Sequence, residues 1–133
     1  MNSAQLLDSG LSELGLELSA EQRTQLLAYA ALIAKWNRVY NLTSMRSEAD
    51  IVTLHLLDSL TVLPYIKVNR IADIGSGAGL PGIVLAIVRP DLDVHTIDTV
   101  QKKVTFMRQA GIELGLKNLP AHHVRVEPWQ PEL

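Results

Sequence analysis

The stretch Arg70-Ile71-Ala72-Asp73-Ile74-Gly75-Ser76-Gly77-Ala78-Gly79-Leu80-Pro81-Gly82 decides the fold of this chain. A short, mostly apolar segment runs into glycines at alternate positions, which predicts a buried strand over Arg70–Ile74 emptying into a tight loop. Pro81 suits the first turn of a helix, where its missing N–H costs nothing. That helix is predicted to reach about Arg89 and to stop at Pro90. Further on, Val94–Asp98 reads as a second strand, Gln101–Leu114 as a helix closed by Gly115, and Ala121–Val126 as a third strand. Strand, helix, strand, helix, strand implies a parallel sheet with right-handed crossovers.

Upstream the period changes to helical. Ser3 is the expected cap of a short helix over Ala4–Leu14, ended by Gly15. Ser19-Ala20-Glu21-Gln22 has the form of a capping box, and Leu26, Leu27, Ala30, Leu32, Ile33 and Trp36 follow at helical spacing. Ser47 is placed to cap a third helix whose apolar stripe is Ile51, Leu54, Leu57, Leu60 and Val62, with Pro64 near its end. The division expected from this pattern is a helical region over 1–66 packed on a sheet-forming region over 67–133.

The loop admits two ligands. Gly77-Ala-Gly79-Leu-Pro-Gly82 matches the dinucleotide pattern G-x-G-x-x-G, and Asp98 follows at about the 20-residue interval of a ribose-binding acid. A nucleotide (NAD)-dependent oxidoreductase is therefore one reading. Against it, Asp73 would repel a pyrophosphate, and Pro81 removes an N–H that a phosphate would use at the helix start. S-adenosylmethionine carries no phosphate but has an ammonium and a sulfonium, which an acid beside a glycine turn suits. Asp73-Ile-Gly75-Ser-Gly77-Ala-Gly79 has the acid-x-G-x-G-x-G form typical of methyltransferases. The glycines permit positive φ or close approach of a ligand to the backbone. Asp98 ends its strand on the edge where open parallel sheets bind ligands, placed to accept from both ribose hydroxyls.

Composition narrows the alternatives. The chain has 133 residues, one domain by length, with 47% hydrophobic and 20% charged residues, enough apolar surface for a core. It has no cysteine, which excludes disulfides and thiolate metal sites. With 12 basic and 14 acidic residues the net charge is −2, so any RNA contact must come from a local patch rather than from bulk charge. Neither a signal-peptide pattern nor a stretch approaching the ~18 apolar residues of a membrane span is present. A cytoplasmic protein without membrane association is expected.

At this level of detail the sequence resembles the small-subunit ribosomal RNA methyltransferase G family (RsmG, or GidB). The matching segments are Lys35-Trp36-Asn37-Arg38-Val39-Tyr40-Asn41-Leu42-Thr43, His55-Leu-Leu-Asp58-Ser59 and Asp73 through Gly82, with Arg89-Pro90, Asp98 and Lys103-Val104-Thr105-Phe106 behind them. The resemblance implies an α/β fold, N-terminal helices followed by a Rossmann-like class I methyltransferase βαβαβ half. The implied reaction is methylation of guanine N7 in 16S ribosomal RNA, with S-adenosylmethionine as donor and the small ribosomal subunit as partner. By position it makes Gly75, Leu80, Val126 and Glu127 cofactor contacts beside Asp73, Gly77, Gly79 and Asp98. It also implies later strands, absent from this sequence, that supply an arginine near the cofactor and part of the RNA surface. The chain is thus expected to be a fragment with little activity, its first strand open at one edge and prone to self-association there. A non-catalytic binding module is the remaining alternative.

Guanine N7 carries a free lone pair, so no general base and no metal are expected, and no catalytic residue is assigned. Asn37 and Asn41, spaced i and i+4, are candidates to approach the target base, although Asn41 equally suits the turn that ends its helix. Lys35, Arg38 and Arg46 form a candidate basic strip, while Lys102, Lys103 and Arg108 read more simply as a solvated face. His55, Asp58 and Ser59 share one helix face. They either border the site and touch the cofactor end or the RNA, His55 being the RNA-binding candidate, or form a hydrogen-bonded pair that ties the helix to the sheet. His122 and His123 adjoin in a strand and so point to opposite faces, which argues against a two-histidine metal site there.

Overall fold

A computed structural model of the chain describes residues 1–45, 47–75 and 78–124. Helices come first: α1 (Ser3–Leu14), α2 (Ala20–Tyr40), and a continuous helical run made of α3 (Glu48–Asp50), a π-helical segment (Ile51–Leu56) and α4 (Leu57–Leu60). A 3₁₀ turn over Leu63–Tyr65 leads to β1 (Arg70–Ile74), α5 (Gly82–Val88), β2 (Asp93–Asp98), α6 (Gln101–Glu113) and β3 (Ala121–His123). The three strands are parallel in the order β1-β2-β3, with Asp73 opposite Thr96 and Asp98 opposite His123. The fold is α/β, as the alternation of elements predicts.

Local chemistry explains most boundaries. α1 is capped by Asn2 rather than Ser3: the Asn2 Oδ1 accepts from Gln5 N at 2.9 Å, and the Gln5 side chain accepts the Asn2 N–H at 2.9 Å. Ser19 and Gln22 make the same reciprocal pair at the start of α2, as their spacing predicts. Gly15 and Asn41 take left-handed conformations at the ends of α1 and α2. Pro81 sits one residue earlier than expected, as the cap of α5 and not within its first turn, and α5 ends at Val88 with Arg89 as its cap. The third strand runs only to His123 among the described residues.

The apolar stripe expected on the third helix is half right. Ile51 and Leu60 are buried, but Leu54 is 54% exposed and Val62 is exposed, while Val52 and Leu56 are buried in their place. The cause is the π-helical turn: Leu57 N donates to Val52 O, five residues back, so each turn takes in an extra residue and the inward face shifts off a 3.6-residue grid.

One hydrophobic cluster joins the helices to the sheet. Leu7 and Leu11 of α1, Leu26, Tyr29 and Ile33 of α2, and Ile51, Val52 and Leu56 pack with Ile83, Leu85 and Ile87 of α5, and with Val104, Phe106 and Met107 of α6. Each large side chain so buried contributes roughly 1.5–3 kcal/mol. Carbonyls at the end of α5 and in the turn after it are gathered by side chains: Asn118 Nδ2 donates toward Ala86, Arg89 and Leu92 O, and Gln22 Nε2 toward Val88 O. No helix among the described residues is long and apolar enough to cross a membrane.

Helices α5 and α6 lie against one face of the sheet, where Val94, Thr96 and Asp98 are buried. The opposite face carries a polar string, in which Arg70 Nε and His95 Nε2 both reach Asp93 Oδ2, at 3.0 and 3.1 Å, and His95 Nδ1 meets His122 Nε2 at 2.9 Å. The hydrogen bond from His95 holds the Asp93 carboxyl below its usual range; partial desolvation opposes it, and the charges of His95 and Arg70 reinforce it. A folded-state pKa below the unfolded one stabilises the fold above the ordinary carboxylate range, and that stability is lost as pH falls through it. Thermal midpoints measured from about pH 5 down to about pH 3 should therefore drop less steeply for Asp93→Asn than for the parent chain. Parallel curves would show that the string adds no stability.

Candidate functional site

The carboxyl ends of β1 and β2 and the start of α5 meet at one edge of the sheet. Asp73, on the helix-facing side of β1, accepts the backbone N–H of Gly82 through Oδ2 at 2.9 Å. Gly82 has to be glycine for this approach. A methyl there would lie 2.8 Å from Asp73 Oδ2 and 3.0 Å from the Thr96 methyl group. The carboxylate thus takes the first N–H of α5, the group a phosphate would otherwise engage.

Around this contact the turn is built by backbone geometry. Gly75 has φ +72° and donates its N–H to Ile97 O at 2.7 Å. No described atom lies within 4 Å of the position a Gly75 side chain would take. Gly79, at φ +91°, accepts the Ile83 N–H at 2.6 Å and is enclosed by Ile83 and Tyr29. Tyr29 of α2 donates its buried hydroxyl to Ala78 O at 2.5 Å. Burial raises the Tyr29 pKa well above its usual value, and the negative charge of Asp73 raises it further, so the phenol stays a donor. Leu80 is half-buried against the core.

Two residues beyond the Thr96 level, Asp98 points to the same side of the sheet as Asp73. It is 6% exposed, and its Oδ1 accepts the Val100 N–H at 2.9 Å, fixing the turn into α6. The edge therefore carries an acid near the end of β1 and another at the end of β2, with a glycine turn after the first.

The expected RNA-facing residues divide. Asn37, a candidate to approach the target base, is instead 1% exposed. Its Oδ1 accepts from Thr43 N at 2.9 Å and its Nδ2 donates to Met45 O at 3.1 Å, which staples residues 43–45 back onto α2. An amide committed on both ends inside the fold does not face a base. Asn41 is exposed and takes the turn role, with φ +51°. His55 Nε2 pairs with Thr43 Oγ1 at 2.8 Å, so its partner is this same loop and neither the sheet nor Asp58. Lys35 and Arg38 are exposed at the end of α2. Arg108, read as solvated, donates to Ala121 O at 3.2 Å and links α6 to β3. His122 and His123 do point apart, the first to His95 and the second to Thr99 O. Gly77, Arg46, Val126 and Glu127 lie outside the described residues.

A cleft of about 510 Å³ lined by Gln22, Gln25 and Asn118 lies at the opposite, amino end of the strands. Its amides are already engaged, Gln22 and Gln25 with the carbonyls that end α5 and α6 and Asn118 with those from the end of α5 to Leu92, which leaves it a structural seam. Among the described residues no group of three or more metal-ligating side chains occurs.

A parallel α/β unit with helices on its N-terminal side, an acid-and-glycine turn after the first strand and an acid closing the second is the Rossmann-like architecture of class I methyltransferases. The chain belongs to the rRNA small subunit methyltransferase G (GidB) family, whose model matches residues 22–133. It is 60% identical over 128 residues to the ribosomal RNA small subunit methyltransferase G of Methylobacillus flagellatus, covering 96% of this chain and 62% of that protein. The proteins of the same name from Azoarcus sp. and Aromatoleum aromaticum are both 53% identical, over 95% and 98% of this chain and 60% and 64% of their own lengths. The chain spans about three fifths of the curated relatives it matches.

The Asp73–Gly82 contact gives a direct test. Gly82→Ala forces strand and helix apart in a fully packed region and should lower stability by about 1–3 kcal/mol, read from urea unfolding. A midpoint equal to that of the parent chain would mean the approach is looser than described.

Proposed function

We propose that this chain is the S-adenosylmethionine-binding part of a cytoplasmic methyltransferase acting on guanine N7 of 16S ribosomal RNA. The observation that carries the cofactor reading is the hydrogen bond from Gly82 N to Asp73 Oδ2. It fills the helix start with the protein's own negative charge, so a pyrophosphate meets repulsion and no free first N–H. A cationic, phosphate-free ligand meets a complementary acid instead. The absence of any described atom beside Gly75 fits close approach of such a ligand to the backbone, and Asp98 is the acid for its ribose. The substrate reading rests on the family and on the names of the relatives.

The bound donor supplies an electrophilic methyl carbon on sulfur. Guanine N7 is an acceptor on the major-groove edge and needs no deprotonation to attack it. The chain's own contribution is therefore placement: the glycine turn and the two acids fix the donor's direction, and alignment of this kind lowers a barrier by ~7–11 kcal/mol in favourable cases. Lys35 and Arg38, exposed towards the end of α2, are the cations this reading assigns to phosphate contact.

Calorimetry of this chain with S-adenosylhomocysteine and with NAD separates the cofactor readings. Binding of the first and none of the second is expected, with affinity falling at least about tenfold (~1.4 kcal/mol) for Asp98→Ala. The reverse preference would overturn the assignment. For RNA, Arg38→Ala should reduce the slope of log affinity against log salt by about 1 on a 16S ribosomal RNA fragment. An unchanged slope removes Arg38 from the interface.

A further inference from the structure

We propose that Tyr29 is a positioning residue for the cofactor turn: from α2 its hydroxyl holds the Ala78 carbonyl, and through it the backbone from Ala78 to Ile83. The inference rests on the cofactor reading of that turn. Tyr29 is fully buried and lies 49 residues from its partner in sequence. Packing alone would be met by a phenylalanine ring, so the hydroxyl has a separate task. Ala78 is itself nearly buried, and a carbonyl in that position needs a donor.

The consequences pass along the chain by direct contacts. Ala78 precedes Gly79, which sits at φ +91° with the Tyr29 oxygen 3.3 Å from the point a side chain would occupy. Gly79 O accepts the Ile83 N–H, and Gly82 N donates to Asp73. The phenol therefore anchors one end of a turn whose other end is anchored by the acid of β1. With both ends held, the backbone that the donor would lie against is set before the donor arrives, which lowers the ordering cost of binding. Because the phenol is fully buried and Asp73 places a negative charge nearby, it remains protonated and keeps its donor role.

Tyr29→Phe retains the ring and deletes only the hydroxyl. Two measurements are made on it: amide hydrogen exchange of the ligand-free chain, and calorimetry with S-adenosylhomocysteine. Ile33→Val, a core change on the same helix, serves as the stability control, since Ile33 is equally buried. In Tyr29→Phe the Gly79, Leu80, Gly82 and Ile83 amides should exchange about tenfold faster, with the amides of α2 unchanged. The dissociation constant should rise about tenfold, the scale of one buried hydrogen bond. Ile33→Val should lower the thermal midpoint and leave the dissociation constant unaltered.

Unchanged exchange at 79–83 overturns the proposal. So does a general acceleration across the chain, or a loss of affinity no greater than that of Ile33→Val, because either reduces the hydroxyl to a core contact. If the parent chain does not bind S-adenosylhomocysteine, the cofactor reading fails, and with it the positioning role. Exchange then shows separately whether the phenol anchors the turn.

Discussion

A carboxylate and a backbone N–H, 2.9 Å apart, fix the relation between the first strand and the helix that follows it. Every other feature of the candidate site is arranged around that approach. It requires a residue without a side chain at Gly82, where a methyl would meet Asp73 and Thr96, and a turn tight enough to bring helix and strand together. It also decides the electrostatics of the crevice. A helix start ordinarily offers partial positive charge to an anion; here that charge is met from within. What remains for a ligand is an acid-lined edge beside the glycine turn.

The N-terminal helices are part of the same construction. α2 presents Tyr29 to the turn and Asn37 to the loop after the helix, and both side chains are buried and hydrogen-bonded at their polar ends. Buried polar groups are costly unless paired, so each of these contacts also specifies which part of the chain packs where. The π-helical turn has a comparable effect on the next helical run. By turning Val52 and Leu56 inward it brings His55 within 2.8 Å of Thr43, closing the loop that Asn37 staples from the other side.

Much of this was legible in the amino-acid order because local chemistry and tertiary packing agree. Alternation of strand and helix signals, the Ser19–Gln22 box, the glycine turn and the terminal acids all say the same thing at both levels. The discrepancies have specific causes. Asn2 outcompetes Ser3 as a cap because Gln5 stands at the right distance to reciprocate. The stripe through Leu54 and Val62 assumes a uniform helical period, and no local signal announces the extra residue per turn. Asn37 is polar and lies among basic residues, so it reads as a surface contact; only the return of the chain at Thr43 and Met45 shows that it faces inward. Tyr29 lies on the buried line of α2 with Leu26 and Ile33, and a hydroxyl on that line was a usable sign of a distant acceptor.

Tyr29 and Asn37 stand eight residues apart on one uninterrupted helix, a separation of about 12 Å along its axis. One rigid element therefore fixes the spacing between the two side chains. Through these two side chains one helix sets both the loop at 43–45 and the turn at 78–82, which share no direct contact in the described hydrogen bonds.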